Sequence, residues 1–259
     1  MSLARQHRER ILAAQTVASL EMEGGLPGVP ATLGELASDA ASQAQGQMTL
    51  RLVHDLQRLK QIQSIEQKIA AKREMLPEYR AWIVGLLSAA EQTGRGVQDD
   101  ILPTIMIWLI DTGQYEDALP LIDYVLRFNI ALPTRYERTA PALIVEEIAE
   151  AAIKAQALGV SFPLGVLEQV EQLIGKADMH DQIRAKLHKA IGVELADRAE
   201  EIDGAAPEFA PAVEGALAHL RRAQQLHDRA GVKDRVRRLE KSIASNTQQA
   251  GPDQTDKAG

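Results

Sequence analysis

KREMLPEYRAWIVGLLSAAEQTGRGVQDDILPTIMIWLIDTGQYEDALPLIDYVLRFNIAL, residues 72–132, decides the fold. Its apolar residues return at helical intervals, and its interruptions are residues that stop helices. Pro77 suits the first turn of a helix over Pro77–Thr93, because the opening N–H groups have no intrahelical acceptor to lose. Gly94 and Gly96 end that helix. A second covers Val97–Thr112, with Asp99 and Asp100 in its first turn, where the helix dipole favours anions; Gly113 closes it. Gln114–Phe128 returns, with Pro120 in its early turns and Asn129 at its end. The small Ala118 lets the return helix lie close, so the pattern predicts a helical hairpin of the tetratricopeptide type.

The flanks read the same way. Ser2–Glu21 is predicted as a first helix. It is broken by Gly24-Gly25-Leu26-Pro27-Gly28-Val29-Pro30, the best linker in the chain. Thr32 caps a short Ala-rich helix over Leu33–Gln45. Across 47–75, Leu52, Leu56, Leu59, Ile62, Ile65 and Ile69 recur at spacings of 4, 3, 3, 3 and 4, close to the 3.5-residue repeat of a coiled-coil seam. That stripe predicts one long helix over 46–76 that needs a partner helix, either within the chain or from a second subunit. Further helices are expected at Ala140–Leu158, Pro163–Gly175, His180–Glu201, Pro211–Ala230 and Lys233–Ser245. The last two form a second hairpin through Gly231, and the polar tail 246–259 is expected to be disordered. No run alternates apolar and polar residues between turn signals. The expected fold is all-α, with 1–45, 46–76 and 77–245 as successive regions.

Composition agrees. Aromatic residues make up only 3% of the 259, so the core is built from Leu, Ile, Val and Ala, which favours closely packed helices over a sheet. Cysteine is absent, which excludes disulfides and thiolate metal sites and suits a reducing compartment. The longest apolar stretches, such as Ile101–Ile110, are too short to span a membrane. The net charge is −7, but it is polarised: residues 1–80 carry +1, 81–210 carry −11 and 211–259 carry +3. A polyanion would be repelled by the middle and tolerated at the ends.

The 72–132 run resembles the small, endonuclease-named terminase subunit of temperate tailed bacteriophages with cohesive-ended genomes. ADMHDQIRAKLHKAIG (177–192) and ALAHLRRAQQLHDRAGVKDRVRRLE (216–240) carry the same resemblance in the same order. It implies an all-helical subunit, in the host cytoplasm, that binds double-stranded phage DNA at the packaging site. It also implies self-association, expected as a ring, and delivery of DNA to the large ATP-hydrolysing subunit.

A terminase needs a motor, a nuclease and a subunit that recognises the packaging site. Gly175-Lys176-Ala177 is the sole Gly-Lys, and Val170 stands where a phosphate loop's first glycine belongs, so no ATP site is expected. For a nuclease the weak candidates are Asp99 and Asp100, adjacent and about 100° apart on a helix. Glu146, Glu147 and Glu150 read as a solvated acidic face. His7, His54, His180, His188, His219 and His227 read as isolated, since two histidines eight apart lie two turns apart and cannot share an ion without a helix partner. No metal or cofactor is expected. DNA contacts are assigned to Arg5, Arg8 and Arg10 on the first helix and to Arg51, Arg58 and Lys60 on the long one. Arg221, Arg222, Arg229, Lys233, Arg235, Arg237 and Arg238 (with Lys241 beside them) are assigned to DNA or to a partner subunit. Two alternatives stand beside this reading: a metal-dependent endonuclease cutting the cohesive-end site, and a tetratricopeptide-like scaffold that binds only protein.

Overall fold

The computed structural model describes residues 3–19 and 33–249, with side chains over 3–16 and 41–246. Among these residues it contains eleven α-helices, one 3-10 turn and no strand, so the chain is all-α. It divides near Ala140 into two compact units rather than at 45 and 76. The Gly24–Pro30 linker lies outside the described residues.

The first unit holds α1 (Leu3–Ser19), α2 (Leu33–Gln61), α3 (Ile65–Met75), a 3-10 turn (Leu76–Glu78), α4 (Arg80–Thr93), α5 (Ile101–Asp111) and α6 (Tyr115–Arg127). Every residue of Ile101–Ile110 is buried, as expected of a helix that is apolar on all sides. Its partner α6 follows after the turn at Gly113, which takes φ +78°, and Asn129 beyond α6 is left-handed at φ +50°. Gly94 ends α4 at φ +69°. Helix α5 starts at Ile101 rather than Val97, because the Asp99 side chain accepts the Leu102 N–H at 3.0 Å and fixes the start there.

The long-helix reading needs correction at both ends. Gly46 does not end a helix: α2 runs through it, in open space. The break falls instead at Ile62-Gln63-Ser64. There the Ser64 hydroxyl accepts the Gln67 N–H at 3.3 Å, the first half of the S-x-x-Q capping pattern. The chain then folds back. Arg51 pairs with Glu78 at 2.7 Å, Tyr79 donates to Asp55 at 2.7 Å and Arg58 pairs with Glu74 at 2.7 Å. Arg58 near the end of α2 meets Glu74 of α3, while Arg51 and Asp55 a turn or two earlier meet Glu78 and Tyr79 beyond α3, so α3 runs back along α2. Leu52 and Leu59 are buried within this unit, whereas Ile65 is 76% exposed. Leu56, Ile62 and Ile69 are half-buried.

Helix α1 lies against α4 and α2. Gly85 of α4 makes the α1 crossing possible: a Cβ there would stand 2.4 Å from the Arg10 carbonyl oxygen and 2.6 Å from the Ala13 Cβ. Helix α1 is thus part of the unit's packing and not a detached arm.

The second unit holds α7 (Ala140–Ala157), α8 (Leu164–Ile174), α9 (Asp181–Glu200), α10 (Phe209–Leu226) and α11 (Lys233–Gln249). Each lies within a few residues of its expected position, and α11 continues to Gln249, so residues 246–249 are helical rather than disordered. Helices α9 and α10 pack most closely. Gly192 faces Leu220, where a Cβ would come within 2.7 Å. Val213, Leu217, Leu220, Val232, Val236 and Leu239 form the core of α10 and α11 against α9. Glu194 of α9 is buried yet satisfied: its carboxylate accepts from Gln156 Nε2 at 2.8 Å, the Phe162 N–H at 2.9 Å and the Ser161 hydroxyl at 2.9 Å. It ties the end of α7 and the following loop to the middle of α9.

Candidate nucleic-acid interface

The two basic patches of the sequence become partly one. Because α1 packs on α2, Arg5 and Arg8 come to line a cleft with Arg51, Gln43, Gln47 and Trp82. Its volume is about 360 Å³. Arg5 is held by Glu9 at 2.8 Å and Arg51 by Glu78 at 2.7 Å, while Arg8 makes no ion pair among the described residues. Each acid orients its arginine without removing it from solvent, and Gln43 and Gln47 add amide donors. Guanidinium forks beside amide donors match the oxygens of a phosphate. Arg10 stands apart, its guanidinium within hydrogen-bonding distance of His7 Nδ1 at 3.3 Å. Arg58 is drawn to Glu74, and that carboxylate holds its guanidinium charged, raising its pKa. Lys60 is exposed near the end of α2. The cleft therefore gathers three of the six assigned residues, and it adds Gln43 and Gln47, which no charge-based reading would select.

The C-terminal hairpin is less cationic than its sequence. Arg221 pairs with Glu240 at 2.7 Å, Lys233 with Asp228 at 3.0 Å, Arg237 lies 3.8 Å from Asp234, and Arg235 pairs with Asp197. Exposed Arg222, Arg229 and Arg238 make no ion pair among the described residues. Arg221, Lys233 and Arg237 edge an open groove with their acidic partners.

The carboxylates take structural positions. Asp100 is exposed at the start of α5. Asp99 caps α5 from within the protein, and burial pushes its carboxyl up to about 6, against the opposing pull of the Leu102 and Ile101 N–H groups. The Trp82 indole N–H faces this carboxyl, yet neither it nor Asp99 Oδ2 completes a hydrogen bond. A pKa above the ordinary 3.8 means that the folded chain holds this proton more tightly than the unfolded one. The group's contribution is then greatest below about pH 4 and is lost as the pH rises through 6. Asp99→Asn keeps the acceptor for Leu102 and removes the buried charge. It is expected to exceed wild type by roughly 3 kcal/mol at pH 8, with the difference closing near pH 4; paired urea titrations at the two pH values measure it.

On α7, Glu146 and Glu150 converge on Lys186 of α9, at 3.0 and 2.5 Å, so this face is bridged rather than solvated. Gly175-Lys176 follows α8 instead of preceding a helix, the reverse of a phosphate loop. The histidines were expected to be isolated, and two are not. His188 of α9 and His219 of α10 face each other with Nδ1 atoms 3.2 Å apart, and Glu171 of α8 reaches them at 3.2 and 3.8 Å. Burial, and next the neighbouring His219, lower the His188 pKa to about 4, which keeps its ring neutral. One histidine comes from each i, i+8 pair, brought together by the α9–α10 packing.

No helix among the described residues is long and apolar enough to cross a membrane. The family described as phage small terminase subunit matches residues 49–182. The chain is 41% identical over 197 residues to a protein of Escherichia phage P2 named terminase, endonuclease subunit, covering 76% of this chain and 73% of that one. It is 22% identical over 193 residues to a protein of Haemophilus phage HP1 named probable terminase, endonuclease subunit, covering 74% and 67%. No solved structure matches the chain. With half its length matched by the family and this identity to the phage P2 protein, the chain belongs to the phage small terminase subunit family.

Proposed function

We propose that the protein recognises packaging-site DNA in the host cytoplasm and hands it to the large terminase subunit, which hydrolyses ATP, cuts and translocates. Membership of the family supports the packaging role, and the cleft lined by Arg5, Arg8, Arg51, Gln43 and Gln47 is the observation that carries the DNA contact. Binding is to the phosphate backbone. Several copies in a closed oligomer add modest patches into useful avidity, which reconciles a net charge of −7 with a polyanionic ligand. Arg222, Arg229 and Arg238 are left to meet the large subunit or a further stretch of DNA. Fluorescence anisotropy with labelled packaging-site duplex tests the cleft. Deleting residues 1–30 would be a poor test, since it would strip α1 from α4.

The self-association surface is best sought on exposed apolar groups. Leu52 and Leu59 already pack within the first unit, so replacing them would damage the fold. Leu50 (71% exposed), Val53 (46%) and Ile65 (76%) are free to meet a second copy. Leu50→Glu, Val53→Glu and Ile65→Glu together are expected to reduce the particle mass, read by light scattering, with the thermal melt unchanged; an unaltered mass would remove this surface from the seam.

A second reading comes from the printed names of the phage P2 and HP1 relatives, both called endonuclease subunits. Incubating pure protein with packaging-site DNA and Mg²⁺ or Mn²⁺ tests it. Cleavage that disappears in Asp100→Asn would support a nuclease in this chain; intact DNA would leave cutting to the large subunit.

A further inference from the structure

We propose that Glu171, His188 and His219 form a binding site for a divalent transition metal of the zinc class, joining α8, α9 and α10. The three side chains come from three different helices of the second unit, yet Nδ1 of His188, Nδ1 of His219 and one oxygen of Glu171 converge on one point. Their separations are 3.2, 3.2 and 3.8 Å. Ligand atoms around tetrahedral zinc, with bonds of 2.0–2.1 Å, stand about 3.3 Å apart. The nearest point equidistant from the three atoms, in their own plane, lies about 2.0 Å from each, so an ion with bonds of 2.0–2.1 Å sits in or just above that plane.

Hydrogen bonding alone accounts for less of this arrangement. At 3.8 Å the His219–Glu171 approach is too long for a hydrogen bond; it is about 0.5 Å longer than a regular tetrahedral edge, so the Glu171 carboxylate closes toward His219 when the ion binds. Two imidazoles and one carboxylate suit zinc and its neighbours rather than magnesium or calcium, which require more oxygen donors. The site is half-enclosed: side-chain exposure is 14% at His188, 25% at His219 and 31% at Glu171. Arg184 and Arg222 stand close enough to act electrostatically on His188. Their charge favours an anion over neutral water as the fourth ligand. Because α9 and α10 form the most intimate helix pair of this unit, an ion here would clamp α8 onto them.

The untagged full-length chain, stripped with chelator and titrated with Zn²⁺ by calorimetry, is expected to bind one ion per chain. Excess Mg²⁺ should not displace it, and Co²⁺ in its place should give the intense visible absorption of a tetrahedral site. Glu171→Gln and His219→Ala, at the more exposed corners, should each weaken Zn²⁺ binding by at least about 100-fold, the upper end of what loss of a supporting outer ligand costs. The double variant His180→Ala/His227→Ala should bind as wild type does. Circular dichroism confirms that each variant is folded; Glu171→Gln, nearly isosteric, retains the test should His219→Ala not fold. Less than half an equivalent of Zn²⁺ on the wild-type chain, or unchanged affinity in Glu171→Gln, overturns the proposal.

Discussion

Neutralising Arg5, Arg8 and Arg51 together, each to glutamine, is expected to lower affinity for packaging-site duplex at 50 mM salt by roughly 100-fold or more, at about 1 kcal/mol or more per charge-assisted contact. The salt dependence should flatten at the same time. Each phosphate contact contributes about 0.9 to the slope of log affinity against log salt, so three lost contacts remove nearly three units. Glutamine retains a donor and most of the side-chain length, so the loss reports charge. Glu9 and Glu78 lose their charged partners in this variant, and since Glu9 is only 15% exposed the melt should fall slightly, by a few degrees at about 1 kcal/mol per pair. A matched neutralisation of Lys154, Lys176 and Arg198, each to glutamine and all exposed in the second unit, should leave binding unchanged. Equal losses in both variants would show a response to overall charge and would remove the cleft from the account.

Replacing Glu194 with alanine should be the most damaging single change in the second unit. Its buried carboxylate accepts the buried Phe162 N–H, which cannot turn toward water, and also the part-buried Gln156 amide and the hydroxyl of exposed Ser161. Each stranded buried donor costs about 1–3 kcal/mol. A loss of about 4 kcal/mol is expected, which lowers the melting temperature by roughly 8–16 °C on the scale of large domains. Glu194→Gln keeps one acceptor oxygen and turns an N–H₂ toward the donors, so it should fall between. A melt within a degree or two of wild type for Glu194→Ala would show that water replaces the carboxylate.

The sequence was most legible where one residue decides the local backbone. Gly94, Gly113 and Asn129 all take positive φ at the stops assigned to them, and the apolar run at Ile101–Ile110 declared a buried helix without reference to its surroundings. It was least legible where a breaker was weighed without its context. Leu33–Gln45 and 46–76 read as separate helices in the sequence, yet α2 runs unbroken across that junction: the single glycine there, Gly46, costs a helix only about 1 kcal/mol, and the neighbouring turns outweigh it. The true break, at Ser64, was signalled by Gln67 three residues later and masked by the regular spacing of Ile62 and Ile65. The sites were harder to read because they are made by packing. Arg5 and Arg51 share a cleft only because α1 lies on α2. Likewise His188 and His219, 31 residues apart, meet only because Gly192 lets α10 approach α9; their spacing within each helix carries no trace of that.

The absent side chain at Gly85 reaches further than local packing. By letting α1 settle directly on α4, it fixes the backbone positions from which Arg5 and Arg8 project before any ligand arrives. The entropy of holding those cations still is then spent when the polypeptide folds and need not be spent again at each encounter. Every copy in an assembly would offer its positive groups at the same height and orientation, like teeth cut to one gauge, whatever conformation is taken by the glycine-rich stretch that follows.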